Sequence, residues 1–519
     1  MFKLINIPTG EKVSRDYQIK LGGVEAPAYL ARVSAMAFDT MWPGHQRPLS
    51  QTEEASVLSF IMDEPVQIEI ESARSFEEVV IRPLSKNIVP TVNGNTISFT
   101  VPACGQYTVE LDGWHKPLTI FANPDVDFGV DPGDPDVIYF PAGVHHTGEI
   151  KLESNQTLYI DAGAVVYGSV TAILADNVKI VGYGILDGSW EKRTNTTTPV
   201  PFDESRCTYT HQFALKDNLP APGQPPVKGS VLLKDRESFE AYLVETNQLK
   251  SCVRLYRCKN CQVTGVTLRD APTYTVIPAH CDNVVFDNVK LIGHWRYNSD
   301  GIDFFNSRNC VVKNSFLRCF DDCIVLKGIV GWDTWNMENI LVENCVLWCD
   351  WGRNLEIGAE TSAPEYKNIV FRNCDCIHLM HIALDIQLCD YAHIHDVIFD
   401  DIRVEYTKYD EECTYQVSDD MEFVSKHGIP WLMYAGMSDI SYCFCIERVK
   451  GKISDITFQN IQVFTDNEEE IPRCELRGFD ERSYVENVTF RHITVNGKPF
   501  DMAKSLVLTG PVRNVTIEE

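Results

Sequence analysis

The sequence predicts an all-β protein: a right-handed parallel β-helix (a solenoid of stacked coils) preceded by an antiparallel β-sandwich. Three observations predict it. One short strand pattern returns many times along most of the chain, no helical periodicity accompanies it, and the first 125 or so residues hold alternating stretches that lack it.

The repeating unit is Asn, aliphatic, any residue, aliphatic, any residue, Asn or Asp, then two apolar positions. It begins at Asn177 (NVKIVGYGIL), Asn260 (NCQVTGVTL), Asn283 (NVVFDNVKL), Asn309 (NCVVKNSFL), Asn339 (NILVENCVL) and Asn368 (NIVFRNCDCI), with weaker copies at Asp396, Asp455, Asn487 and Asn514. Where no insertion intervenes the interval runs from 22 residues, between positions 155 and 177, to 32, between 455 and 487. Strands at such a period describe a solenoid whose coils bury inward side chains against their neighbours. Propeller blades, at about 40 residues or more, are too long for it. An Asn recurring at one corner is expected to ladder its amides, and the recurrent Asn-Cys puts small thiols in the stack.

Residues 1 to about 125 contain VQIEIES, EEVVIRPL, TISFTV, QYTVELDG and LTIFANP, separated by Pro, Gly and Asn turns, which reads as the sandwich. The stretch NPDVDFGVDPGDPDV, Asn123 to Val137, has the composition of a linker. The β-helix is placed over 126–519, its first coils in YFPAGVHHTGEIKLESNQTLYIDAGAVVYGSV, with excursions near 191–248 and 406–451. Long excursions from a solenoid fall on one face, often the functional one. The second carries Trp431, Tyr434 and Tyr442, rings that can stack on sugars or tie the loop down.

A chain of 519 residues is long enough for two domains and a large core. Its net charge of -27 disfavours nucleic acid and anionic membranes as partners. The start, MFKLINIPTGEKVSRDYQIK, lacks a long apolar segment, so a cytoplasmic location is expected. The 18 cysteines then read as reduced buried thiols, among them Cys258, Cys261, Cys310, Cys345 and Cys374. Cys374, Asp375, Cys376, His378 and His381 come nearest to a metal cluster, but their strand-like setting suggests core packing; no metal and no cofactor are expected.

The chemistry concentrates in two acidic patches, Asn298-Ser299-Asp300-Gly301 and Asp321-Asp322-Cys323, with an interval of 21 residues between positions 300 and 321. If each repeat is one coil, Asp300 stacks beside the Asp321–Asp322 pair. Carboxylates converging there repel one another and raise at least one pKa, which glycosidic bond hydrolysis can use.

From Gly182 to Lys327 the chain resembles glycoside hydrolase family 28, the polygalacturonase family, and more loosely family 49, the dextranase and isopullulanase family. The resemblance rests on GYGILDGSW, NCQVTGVTLRDAPTYTV, NSDGIDF and DDCIVLKG in that order; the preceding sandwich is closer to family 49. It implies inverting hydrolysis, with Asp321 as general acid and Asp300 and Asp322 positioning and deprotonating the attacking water. Asn298 of the NSD motif and Lys327 after DDCIVL are implied substrate contacts.

Two departures shift the expected substrate. Where the family has Gly-His-Gly and then Ile-Gly, this chain reads Trp351-Gly352-Arg353-Asn354-Leu355-Glu356-Ile357-Gly358, so Arg353 replaces the histidine. Arg353 can bind a sugar hydroxyl or hold a catalytic carboxylate, but a guanidinium cannot relay protons. Glu356 and Glu360 add acidic groups. The family's Arg-Ile-Lys, which grips the galacturonate carboxylate, aligns with Asp385-Ile386-Gln387, so both cations are gone and a neutral sugar is expected instead. Gln387 and Glu356 are then sugar-binding candidates. His294, Trp295, Arg296 and Tyr297 either line one end of the groove or form a packed turn.

The expected partner is an oligosaccharide, imported and trimmed from one end; a homo-oligomer stays open. Three other readings predict different products. A galacturonide hydrolase releases galacturonate, a lyase or epimerase on the same solenoid acts on uronates, the lyase leaving ultraviolet-absorbing ends, and a noncatalytic glycan-binding solenoid yields none.

Overall fold

The computed structural model describes residues 1–35, 49–191, 251–296, 298–329, 335–406, 412–418, 421–426, 431–438, 450–465 and 472–518. Strict alternation builds the first layers. In Val66–Ser72 every second side chain is buried, so Val66, Ile68 and Ile70 face inward while Gln67, Glu69 and Glu71 meet water. That strand lies in an antiparallel sheet with Tyr17–Leu21, Val24–Glu25, Thr96–Val101 and Thr91–Asn93. A second sheet, of Phe2–Leu4, Tyr29–Ser34, Thr52–Met62, Leu118–Pro124, Gly105–Leu111 and Val79–Arg82, is antiparallel except where Leu118–Pro124 runs parallel to Thr52–Met62. Ile19, Ile68, Phe99, Phe60, Val109 and Ile120 form the core between them.

From Val137 onward the strands pair in parallel with their counterparts one coil further on, in a continuous set of 29 among the described residues. Ile302–Phe305, for example, lies between Val276–Ala279 and Ile324–Gly328. Their inward residues form a single core running the length of this right-handed parallel β-helix. Within it Phe371, Phe399, Phe458 and Phe490, from four successive coils, stack with ring centroids 4.8, 5.0 and 5.3 Å apart. Cys258, Cys261, Cys310, Cys345 and Cys374 are buried free thiols.

The repeat asparagines hold the corners, and two properties suit them to it. Asn tolerates left-handed backbone better than other non-glycine residues, and Asn177, Asn260, Asn283, Asn309, Asn339 and Asn368 all have φ between 54° and 63°. Its amide also donates and accepts at once. Asn177 donates to Asn155 at 2.8 Å, Asn260 to Asn177 at 3.3 Å, Asn283 to Asn260 at 2.9 Å, Asn339 to Asn309 at 2.8 Å and Asn368 to Asn339 at 3.1 Å. A second ladder, Asn373 to Asn344 at 2.6 Å and Asn344 to Asn314 at 3.2 Å, marks the other Asn of the repeat.

The sandwich docks on the outside of the helix. Tyr29, Val33 and Phe121 pack against Phe316, Trp348 and Met380. Beside them Arg82 joins Glu110, at 2.9 Å, to Glu405, and His378 Nε2 meets Glu110 at 2.8 Å. The sequence cluster weighed for metal is therefore divided: Cys374 and Cys376 lie in the core, Asp375 binds Arg403, His378 faces the sandwich and His381 is exposed.

The excursion expected near 191–248 falls almost wholly outside the described residues. In the one near 406–451, Glu412–Ser418 and Met421–Lys426 pair antiparallel. Trp431 and Tyr434 need correcting: they belong to a coil strand, Trp431–Met437, parallel to Ile382–Leu388 and Arg473–Arg477. Leu432, Met433, Ala435 and Met437 are its core residues. Tyr442 lies outside the described residues.

The corner ladder makes a stability prediction. Asn339→Gly keeps the left-handed corner but removes both amide contacts, an expected cost of about 1 kcal/mol. Asn339→Ala adds left-handed strain worth about 1 kcal/mol more. Thermal unfolding should rank wild type above Gly above Ala; a Gly variant as stable as wild type would remove the ladder from the account.

Candidate active site

Parallel register assembles the acidic groups. Ile302 pairs with Ile324 and Ile324 with Leu355, while the Gly301 N–H donates to the Asp322 carbonyl at 2.7 Å and the Cys323 N–H to the Arg353 carbonyl at 2.8 Å. Asp300, Asp322 and Arg353 thereby stack in one column, with Asp321 beside it. A second column on the same outward face runs Asp303, Val325, Glu356, Asp385, Tyr434 and Glu475. Ile302, Phe304, Ile324, Leu326, Leu355, Ile357, Leu384 and Ile386 fill the inward positions between these groups.

Asp321 and Asp322 share one small space. A Cβ on Gly352 would stand 2.6 Å from Asp321 Oδ1 and 2.4 Å from Asp322 Oδ1, so only glycine fits beneath the pair. Asp321 and Asp322 keep 7% and 5% of their surface accessible, against 1% for Asp300 and none for Asp303, Glu356 and Asp385. Among these five carboxyl groups the adjacent pair is thus the most accessible to solvent.

Two cations hold the cluster together. Lys327 Nζ lies 3.5 Å from Asp300, 3.7 Å from Asp303 and 3.2 Å from Glu360, over the Tyr274 ring at 5.1 Å. Arg353 lies 3.6 Å from Asp322, 3.3 Å from Asp385 and 3.9 Å from Glu356, and donates to Gln387 Oε1 at 3.3 Å. Its backbone N–H also donates to Asp322 Oδ1 at 2.8 Å. Even so, Asp300 Oδ1 and both oxygens of Asp303, Glu356 and Asp385 accept no hydrogen bond.

This environment divides the carboxyl groups. Burial, reinforced by Asp300 and Asp322, pushes the Asp321 pKa well up. Burial followed by repulsion from Asp303 does the same to Asp300, against Lys327. Asp303 and Glu356 also rise, chiefly by burial. On Asp322 burial again pulls upward, but Arg353, Lys327 and the Arg353 N–H overcome it, so its pKa falls. The pKa values of the pair over Gly352 are therefore pushed apart, Asp321 upward and Asp322 downward. Desolvation, not the mutual repulsion the sequence emphasised, is the largest cause.

The remaining sequence candidates separate. Gln387 and Glu356 meet Arg353, and Lys327 joins the cluster. Asn298 is half-buried with φ of 55°, turning the chain into Ser299 and Asp300. Trp295 is buried elsewhere: its indole N–H donates to Asp270 at 3.2 Å while Arg296 covers its ring, the packed-turn alternative. Tyr297 lies outside the described residues. Sequence reasoning assigned no role to Asp303 or Tyr274, read Asp385 only as the place of a lost cation and weighed His381 only for metal. Asp303 and Asp385 were findable, because strand alternation puts both on the outward face with Lys327.

The cluster has a measurable signature in stability. Burial, with Asp322 reinforcing and Arg353 opposing, lifts Asp385 from 3.8 to about 7. Its folded pKa lies above its unfolded one, so the stabilisation it brings is full below the unfolded pKa and is lost as pH rises through about 7. Relative to wild type, Asp385→Asn should therefore gain in thermal midpoint between about pH 4 and pH 8. A constant difference across that window would contradict the shift.

The sequence profile of glycosyl hydrolases family 28 matches residues 238–378. An exo-poly-alpha-D-galacturonosidase of Dickeya chrysanthemi is 27% identical over 238 residues, 38% of this chain and 38% of its own length. Exopolygalacturonase X of Aspergillus niger is 33% identical over 108 residues, covering 20% of this chain and 22% of its own. The chain thus spans well under half the length of these curated relatives. Dex49A from Penicillium minioluteum shares the fold with a TM-score of 0.53 at 16% identity, covering 98% of this chain and 90% of Dex49A. That likeness extends over sandwich and helix together. Residues 238–378, which hold NSDGIDF and DDCIVLKG, are thus similar to glycosyl hydrolases family 28, the family those aspartate motifs resemble.

Proposed function

We propose that this protein is an inverting glycoside hydrolase acting on the ends of α-linked neutral oligosaccharides. The observation that carries the hydrolase reading is the Asp321–Asp322 pair packed over Gly352, whose two pKa values are pushed in opposite directions. Asp321 donates its proton to the departing glycosidic oxygen. Asp322, ionised beside Arg353, takes the proton of a water attacking the opposite face of the sugar carbon, so the configuration inverts. Asp300, whose pKa is raised, orients that water while Lys327 fixes its carboxyl.

Occupied cations support a neutral substrate. Lys327 and Arg353 are each already shared among several carboxylates. The names of the similar exo-acting proteins support attack on a chain end. Galacturonides are the competing substrate, favoured by the names of the two similar proteins.

A panel of α-linked neutral oligosaccharides and oligogalacturonides, read by new reducing ends and by NMR of the first-formed anomer, tests this. Inverted neutral sugar is expected; release of galacturonate alone would transfer the assignment to galacturonides, and unsaturated ends would replace hydrolysis by elimination. Asp321→Asn should lower kcat by roughly 10²–10⁴-fold with the thermal midpoint nearly unchanged. Full activity in that variant would dismiss Asp321 as the acid. Gly352→Ala, which pushes both carboxylates aside, is expected to cost on the order of 10²-fold in kcat.

A further inference from the structure

We propose that Glu365, His393 and His395 form a binding site for a divalent transition-metal ion, zinc by the chemistry of its donors. Glu365 opens the strand Glu365–His378, and the histidines lie on the next coil in Ala392–Tyr406, where Glu365 is the register partner of His393. Ala392 and Ile394 point into the core, so the intervening His393 and His395 share the outer face. One ligand atom from each of the three lies within 4.8 Å of the others.

The groups behind these side chains aim them. Lys367 and Asn336 occupy Glu365 Oε2, at 2.8 and 3.2 Å, and Oε1 faces His395 Nε2 at 3.8 Å. Asp396 Oδ2 lies 2.8 Å from His395 Nδ1, which places the ring proton there and leaves the lone pair on Nε2. That Nε2 is buried and has no hydrogen-bond partner. A lone pair and a carboxylate oxygen therefore confront each other beyond hydrogen-bonding distance, and a cation between them satisfies both.

His393 completes the set. Ser454 Oγ, from the following coil, fixes its ring at 2.9 Å from Nε2, and its ring centroid lies 4.2 Å from that of His395. Two imidazoles and a carboxylate suit zinc, whose tetrahedral ligands lie roughly 3.4 Å apart, so a small closing movement of Glu365 is enough. The ion would pin adjacent coils from outside, opposing the positive charge of Lys367 and Lys452.

Cobalt(II) titration of the tag-free full chain distinguishes this site from the cysteines. One equivalent should bind with visible d–d absorption and without thiolate-to-cobalt bands, and zinc should displace it. Glu365→Gln, which preserves the side chain's shape, and His395→Ala should each weaken binding roughly tenfold or more. Zinc should raise the thermal midpoint of wild type and not of these variants. No saturable uptake by wild type, thiolate bands, or unaltered uptake in both variants would overturn the site.

Discussion

In-register stacking of coils, fixed at left-handed corners by asparagine, is the constraint on which the other features depend. An amide that donates to one coil and accepts from the next is satisfied only when neighbouring corners lie level. A one-residue slip would break the ladder and turn every outward side chain inward. Asp303, Glu356 and Asp385 would then enter a core of Ile, Leu and Phe. The same register that saves that cost sets Asp300 level with Asp322 and Arg353, so local corner chemistry determines geometry in a cluster drawn from several coils.

Stacking carboxyl groups this closely works against stability, and the helix meets that cost in two ways. A shift toward the neutral form is one: burial raises the pKa values of Asp300, Asp303, Asp321 and Glu356. Sharing is the other, because Lys327 and Arg353 each face three carboxyl groups. The sandwich contributes a comparable buried polar contact away from the cluster, in which Arg82 links Glu110 to Glu405. Its docking leaves the strand face carrying Asp303, Glu356 and Asp385 to the acidic cluster.

Much of this was legible because the repeat advertises its corners. Each Asn that opens a copy of the pattern reports a backbone conformation as well as a side-chain contact, so coil spacing, and with it the meeting of Asp300 with Asp321 and Asp322, could be read directly. Trp431 and Tyr434 were misread because aromatic residues within a coil strand look like loop decoration, and only parallel pairing with Ile382–Leu388 reveals their place. Trp295 sits next to the NSD motif yet answers to Asp270, a partner one coil away. The pKa order within the cluster was not legible, since it depends on burial and on which carboxylates the two cations approach.

Arg353 ties these threads together. A guanidinium stays charged at every pH at which the protein is folded, so Asp322 always faces a cation, and the backbone N–H of the same residue adds a hydrogen bond. Asp321 has no ion pair as close and answers mainly to burial. The split between acid and base across adjacent residues thus follows from the arginine, which does for Asp322 by fixed charge what a titrating histidine would do only when protonated. Its fork is at the same time engaged by Asp385, Glu356 and Gln387. An arginine so occupied is poorly placed to grip an incoming carboxylate, and the Asp385 and Gln387 that hold it stand where the family carries cations for that grip. Under the proposed hydrolase reading, orienting the Asp321–Asp322 pair and lacking a uronate clamp are therefore two consequences of one local arrangement.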